Sequence, residues 1–181
     1  MSEAGHAQPV LTTRRMRLRG LIRADAALIE LYASDPKVAR MTTSIPHPYP
    51  PGFAETYVER NLNAAPLNQI WALDAGSEGE NGLIGLIRCK LNDAGGAEIG
   101  YWVAPALWGA GYASEAVRAV VAHLADTGIP TVAAQVFQDN KASARVLMRC
   151  EFSYLGEGET HSTARGAMVP TFRYQRDTRI S

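Results

Sequence analysis

Apolar positions along the chain switch between two periods, and the switches mark its elements. The segment from Val10 to Leu21 holds the alternation Arg15-Met16-Arg17-Leu18-Arg19, which predicts a half-exposed first strand with the arginines on its solvated face. From Asp25 to Ala33 the spacing turns helical, with Leu28, Leu31 and Tyr32 on one side, and Asp35-Pro36 restarts a short helix through Arg40. Four prolines between Ile45 and Gly52 predict an extended loop. Phe53 to Asn63 reads as a helix with Phe53, Tyr57 and Val58 on one stripe. Gln69 to Leu73 and Leu83 to Leu91 read as strands around a polar, glycine-rich loop, Gly76 to Gly82. Ala97 to Val103 alternates as a further strand. Ala113 to Asp126 carries Ala116, Val117, Val120, Val121 and Leu124 on one helical face, with Gly128 placed to cap its end. Thr131 to Phe137 is a short buried strand and Asn140 to Cys150 a helix. Phe152 to Leu155 and Met168 to Gln175 close the chain as two strands around a polar loop.

Strands and helices are therefore interspersed, with no internal repeat and no low-complexity segment. The strand-turn-helix-strand unit from Ala97 to Phe137 predicts a parallel pair, and the hairpins predict antiparallel ones, so the fold class is a mixed α/β (α+β) sheet. At 181 residues the chain fits one domain, residues 10–181, preceded by a flexible N-terminus at residues 1–9. Eighteen basic and eighteen acidic residues cancel, so no overall field draws the protein to nucleic acid or to a membrane surface. Cys89 and Cys150 lack disulfide-framework or metal-ligand spacing, read as packed small hydrophobes, and point to a reducing cytoplasm. No apolar run approaches the ~18 residues of a membrane span.

The segment Trp108-Gly109-Ala110-Gly111-Tyr112-Ala113-Ser114-Glu115 runs a glycine-spaced turn directly into a helix. Helix-start N–H groups have no intrahelical partner and carry the positive end of the dipole, so a phosphate or pyrophosphate docks there. Gly109 and Gly111 admit close backbone approach and φ > 0. No Lys-Ser or Lys-Thr follows, and the spacing is not Gly-x-Gly-x-x-Gly, which excludes a Walker P-loop and an ordinary dinucleotide site.

Together with Ala97-Glu98-Ile99-Gly100-Tyr101-Trp102-Val103 before it, and Asn140-Lys141-Ala142-Ser143 and Phe152 after it, this turn resembles the acetyl-CoA-binding half of the GNAT N-acetyltransferases. The Arg-rich first strand, Asp35-Pro36-Lys37-Val38 and Pro46-His47-Pro48-Tyr49 are similar to the RimJ/RimL-type branch, and the resemblance covers Leu11 to Gln175. It implies the GNAT acyl-CoA N-acyltransferase fold, a mixed, mostly antiparallel sheet of about six or seven strands flanked by helices. It implies acetyl-CoA as co-substrate and no metal. The pyrophosphate would lie on Trp108, Gly109, Ala110, Gly111, Tyr112, Ala113 and Ser114, and the pantetheine beside Tyr101, Trp102 and Val103 and against the Asn140 amide. Trp108 stands where many members have Gln or Arg. Glu151 stands where the family usually has Gly before Phe152; a non-Gly residue at φ > 0 costs about 1 kcal/mol, so the helix is expected to end differently here.

Acetyl transfer needs a neutral amine, a stabilised oxyanion and a proton for the departing thiolate. A lysine-type amine with pKa near 10.4 needs roughly 4 to 5 kcal/mol of deprotonation at neutrality, an α-amine near 7.8 only about 1 kcal/mol. Glu98, sharing a strand face with Gly100 and Trp102, is the candidate base, against a plain solvated or ion-paired strand residue. The tyrosine that many members use as acid is Leu147 here; Ser143, one turn earlier, is the candidate acid, against a helix-start serine bonding backbone. His47 and Tyr49 in the proline loop and Trp71 are candidates for the acceptor side, with Trp102 beside them, although a rim histidine is often only solvated and buried aromatics are more often core. Glu157, Glu159 and His161 read as a solvated loop. No residue suggests an acyl-enzyme, since neither cysteine has a partner base. The acceptor is a protein N-terminal α-amine or a small amine such as an amino acid or antibiotic. A non-catalytic acyl-CoA-binding module is the alternative from another class, and sheet edges near the C-terminus make a homodimer an expectation.

Overall fold

Eight strands form one sheet in the order β1-β2-β3-β4-β5-β6-β8-β7. The structure is a computed structural model and describes residues 8–63 and 67–179. The strands are β1 (Leu11–Thr12), β2 (Arg17–Arg19), β3 (Asn68–Asp74), β4 (Leu83–Leu91), β5 (Ala97–Val103), β6 (Thr131–Phe137), β7 (Ser153–Ser162) and β8 (Ala167–Asp177). The helices are α1 (Asp25–Ala33), α2 (Pro36–Ala39), α3 (Phe53–Asn61), α4 (Tyr112–Asp126) and α5 (Lys141–Arg149). All neighbouring strands are antiparallel except β5 and β6, the parallel pair that the helical crossover between them demands.

Alternate residues of the central strands feed two cores. On one face Trp71, Ile87, Ile99 and Val103 meet Val117, Val120 and Leu124 of α4 and Leu147 of α5. On the other, Ile70, Ala72 and Leu86 meet Ile29 and Ala33 of α1 and Ala54 and Val58 of α3. Strand β5 gives Ala97, Ile99 and Val103 to the first core, while on its other face Glu98 and Gly100 stay exposed and Trp102 packs against the second, which is why its sequence alternates.

The arginine face of the first strand is not solvated as its alternation suggests. The strand is broken by a turn in which the Thr13 N–H bonds the Met16 carbonyl at 2.9 Å, leaving β1 and β2 as a short hairpin. Arg19 turns inward instead. Its Nε donates to Asp74 at 2.7 Å and its two terminal nitrogens to Asp25 at 2.9 and 3.0 Å, and both carboxylates are fully buried. Burial disfavours the Asp74 charge, but Arg19 and the N–H groups of Gly76 and Gly82 outweigh it and hold the carboxyl below the usual range. This network ties β2, the start of α1 and the β3–β4 hairpin together.

Two further expectations are corrected. The last hairpin is longer than the sequence suggests: Glu157, Glu159 and His161 lie on the exposed face of β7, and only residues 163–166 form the turn. Helix α5 ends as a glycine-containing member would end it. Glu151 adopts φ 65°, while the Phe152 N–H bonds Leu147 O and the Glu151 N–H bonds Met148 O, both at 3.0 Å. Arg176 holds that corner, donating to Cys150 O at 2.6 Å and pairing with Glu151 at 2.8 Å. Of the segment expected to be flexible, residues 1–7 lie outside the described residues; Gln8 and Pro9 are pinned, bonding Ile70 O and accepting from Trp71 Nε1.

Candidate active site

Strands β5 and β6 pair only from Ala97 to Ile99 against Val132 to Ala134, and beyond that point no ladder joins them. The splay opens a cavity of about 520 Å³ that reaches both sheet faces. Glu98, Gly100, Tyr101 and Trp102 border it from β5, Gln135 and Val136 from β6, and Asn140 and Ser143 from the start of α5. Residues of α1, the 41–45 loop, Tyr49 and α3 form the wall toward the acceptor face.

The glycine turn builds the mouth. Gly109 and Gly111 have φ 79° and 87°, so both occupy the left-handed region for which the spacing selects glycine. Among the described residues no backbone carbonyl accepts from the N–H groups of Gly111, Tyr112, Ala113 or Ser114, and no side chain caps α4. Four donors at a helix start therefore point to solvent, the arrangement a pyrophosphate satisfies. Trp108, in the place of the family's Gln or Arg, folds back so that its Nε1 donates to Val103 O at 2.7 Å, strapping the turn to the end of β5.

A basic residue that sequence reasoning assigned to a solvated face holds this turn in place. The Arg15 Nε donates to Glu115 at 2.8 Å, its Nη1 donates to Ala110 O at 2.9 Å, and its guanidinium stacks 4.2 Å above the Tyr112 ring. Thr13 Oγ1 and the Arg15 N–H also bond Glu115, so despite the opposing effect of burial that carboxyl lies below its usual range.

Asn140 caps α5 by accepting from the Ser143 N–H at 3.2 Å, which leaves its amide NH₂ facing the cavity it lines. Ser143 Oγ lies 2.8 Å from the Tyr101 hydroxyl. Burial drives the Tyr101 pKa well above that of a free phenol, and the Ser143 bond offsets this only in part, so the pair is neutral and protonated. Leu147 is fully buried beneath it. Tyr101 was expected to serve the cofactor from its strand position; its hydroxyl partnership with Ser143 had no sequence signal, because the residues are 42 positions apart.

On the opposite face Glu98, Gly100 and Trp102 stand in a row, and an added Cβ at Gly100 would meet nothing within 4 Å. Open space therefore lies above Gly100, with Glu98 and Trp102 on either side. Tyr49 lines the same cavity, packs edge-on to Phe53 at 5.3 Å, and is pushed up to about 12, mainly by burial. Trp71 does not belong to this wall: it is buried on the α4 face, edge-on to His123 at 5.8 Å. His47 is exposed and outside the lining. Cys89 and Cys150 are buried away from the cavity, and burial pushes the Cys89 thiol up to about 11. Among the described residues no group of three or more His, Cys, Asp or Glu is placed to hold a metal ion, and no helix is long and apolar enough to cross a membrane.

Sequence reasoning missed Arg88, which lines the cavity from β4, and Arg165, which braces the loop beside it. Arg165 donates to Asp139 at 2.8 and 3.0 Å and to Arg40 O at 2.7 and 2.9 Å, and the Thr163 N–H bonds Thr43 O at 2.9 Å. The β7–β8 turn is thereby tied to the 40–44 loop that forms the acceptor wall. The polar break at Arg88 in an apolar strand was the one available signal.

Residues 15–153 match the family model described as an acetyltransferase (GNAT) domain. Over 61 residues the chain is 41% identical to the uncharacterized N-acetyltransferase YoaA of Bacillus subtilis, a match covering 33% of this chain and 34% of that protein. Among solved structures it is similar to RimL, a ribosomal-protein alpha-N-acetyltransferase in complex with coenzyme A, at TM-score 0.80 and 18% identity, covering 93% of this chain and 98% of that one. A microcin self-immunity acetyltransferase in complex with acetyl-CoA and AMP gives TM-score 0.78 and 17% identity, covering 91% and 93%. The chain belongs to the GNAT family of N-acetyltransferases, whose acetyl donor is acetyl-CoA. The unpaired donors of the turn and the cleft beside β5 fit an elongated thioester.

Proposed function

We propose that this protein moves acetyl from acetyl-CoA directly onto the α-amine of an acceptor entering from the α1–α3 face. The observation that carries the proposal is that one cavity is bordered both by Glu98 and by the Tyr101–Ser143 hydroxyl pair. Bound acetyl-CoA supplies an acetyl thioester, whose C–S bond breaks as the N–C bond to the amine forms. The N–H groups of Gly111 to Ser114, with Trp108 bracing the turn and Gly109 and Ala110 completing it, hold the pyrophosphate end. The backbone of Tyr101 to Val103 and the Asn140 amide position the arm. Glu98 takes the proton that the amine releases, directly or through one water. Ser143 Oγ, hydrogen-bonded to the Tyr101 hydroxyl, gives its proton at the departing sulfur and is reprotonated from solvent. Glu98 passes the proton of the amine to solvent, so that after turnover Glu98 is again a carboxylate and the hydroxyl pair again neutral. A carboxylate is a weak base, sufficient for an α-amine of the peptide type, whose acidifying neighbouring carbonyl leaves about 1 kcal/mol of deprotonation, and poor for a lysine that needs roughly 4 to 5 kcal/mol.

Thiol release from acetyl-CoA with α-amines, lysine analogues and N-terminal peptides tests this reading. Ser143→Ala and Glu98→Gln should each slow transfer roughly 10²-fold or more while leaving CoA affinity nearly unchanged. Tight CoA binding with no turnover on any amine would instead identify a non-catalytic acyl-CoA-binding module. A protein N-terminus as acceptor, and with it placement in the RimJ/RimL-type branch and in the cytoplasm, is a second reading that the likeness to RimL favours. The exposed Tyr154 and Leu155 on the edge strand β7 support the expected homodimer, which light scattering checks.

A further inference from the structure

Three rungs of side chains cross the acceptor face of the sheet. Register places Asn68, Lys90 and Glu98 on one rung, Ile70, Arg88 and Gly100 on the next, and Ala72, Leu86 and Trp102 on the third. Adjacent rungs on one face are two residues, about 6.7 Å, apart along each strand. Arg88 therefore stands directly across from the open space above Gly100 and diagonal to Glu98.

Among the described lining residues Arg88 is the one cation and Glu98 the one anion. Neither forms a salt bridge, with the other or with any described residue. Opposite charges on one wall that leave each other unpaired are available to a ligand carrying both signs. A second atom points the same way. Asn68 Oδ1, on the Glu98 rung and in the cavity lining, is buried and accepts no hydrogen bond, an acceptor position that a ligand N–H satisfies. The rest of the acceptor wall is uncharged: Ile29, Tyr49, Phe53 and Leu86 alternate with the hydroxyl and amide groups of Thr42, Thr43, Ser44 and Asn61.

We propose that the acceptor carries a carboxylate beside its amine, as an uncharged amino acid does: Arg88 takes the carboxylate, and the amine sits over Gly100 within reach of Glu98 and Asn68. The amine nitrogen and carboxylate carbon of an α-amino acid are about 2.5 Å apart. The long Arg88 and Glu98 side chains, converging over a residue with no side chain, close the remaining distance. A guanidinium takes both carboxylate oxygens at once, fixing the direction of the amine as well as holding the acid. One carboxylate in the wall is too few for a polycation, and a lone guanidinium repels one. The inference rests on the acetyl-transfer reading.

The test compares kcat/KM for L-amino acids with uncharged side chains, their amides and the corresponding decarboxylated amines, with the full chain and acetyl-CoA. In free solution the carboxylate of the acid keeps its amine more basic than that of the amide, so intrinsic reactivity favours amides. Pairing with Arg88 offsets that carboxylate and brings the bound amine toward the peptide-type α-amine that Glu98 can serve. The wild-type protein should nevertheless prefer the acids by about 10-fold, the scale of a charge-assisted bidentate pair at an arginine that is exposed in the free protein. Arg88→Met should abolish the preference, Arg88→Lys should restore part of it, and Lys90→Met, on the same strand but outside the lining, should leave it intact. Melting temperature and CoA affinity establish that each variant is folded. Amides acetylated as well as or better than acids by the wild type, or a preference that survives Arg88→Met, would overturn the inference while acetyl transfer stands. Acetylation of N-terminal peptides or lysine analogues but of none of the three classes would overturn the inference alone, and CoA binding with no turnover on any amine would overturn it together with the acetyl-transfer reading.

Discussion

Gly100→Val separates the acceptor site from the fold. The backbone there is in an ordinary strand region, since Gly100 is not among the glycines with positive φ, and its ideal Cβ meets no atom within 4 Å. Valine at a strand position should therefore cost nothing in strain and gain up to about 1 kcal/mol of strand preference. For a chain of this size that is a rise of roughly 2–4 °C in melting temperature. The added isopropyl group fills the space between Glu98 and Trp102 that the amine must occupy. Displacing the amine by even 1 Å costs about 10²-fold in rate, equivalent to about 2.7 kcal/mol of transition-state stabilisation. CoA affinity should hold, because the donor turn begins eight residues further on. Steady-state kinetics with the acceptor varied, beside calorimetric CoA binding and thermal melting, give all three quantities. A variant that keeps wild-type kcat/KM would remove the acceptor from this floor. One that melts several degrees lower would show that the space is not open.

Arg19→Met would leave two buried carboxylates without their guanidinium. Such a break typically costs about 3–5 kcal/mol, or roughly 6–20 °C in melting temperature. Because Asp74 is held below the usual carboxylate range, its contribution is full above the unfolded value of about 3.9 and fades as pH falls through the folded one. The gap between wild type and variant should narrow on acidification; a gap that stays constant from pH 7 to pH 3 would refute that assignment. Glu151→Gly should be more stable than Glu151→Ala by about 1 kcal/mol, since both lose the exposed pair with Arg176 and only alanine keeps the strain of φ 65°. Equal melting temperatures for the two would contradict the conformational argument.

Local chemistry was legible in the sequence wherever it acts over a few residues. The Gly109 and Gly111 turn, the α4 face and the alternation of β5 follow from spacing alone. Arg15 and Arg19 carry the same signal as a solvated strand face, yet each is claimed by carboxylates 100 and 55 positions away, Glu115 and Asp74. Trp71 and Ile70 are equally apolar neighbours, and only the direction of the sheet decides which faces the cavity. The end of α5 was misjudged for an energetic reason: about 1 kcal/mol of backbone strain is small beside the packing of Phe152 and the hydrogen bonds Arg176 adds at that corner.

The two-residue period of β5 carries a consequence for how such a protein changes its diet. Ile99, Tyr101 and Val103 face the α4–α5 side of the sheet, the donor's under the proposed reading, and Glu98, Gly100 and Trp102 face the α1–α3 side proposed for the acceptor. Point substitutions at 98, 100 and 102 can retune the incoming amine one position at a time without disturbing the thioester's bed. Losing or gaining a single residue in that strand would exchange the two sets and destroy both at once. Evolution along this strand is free to substitute and barred from slipping.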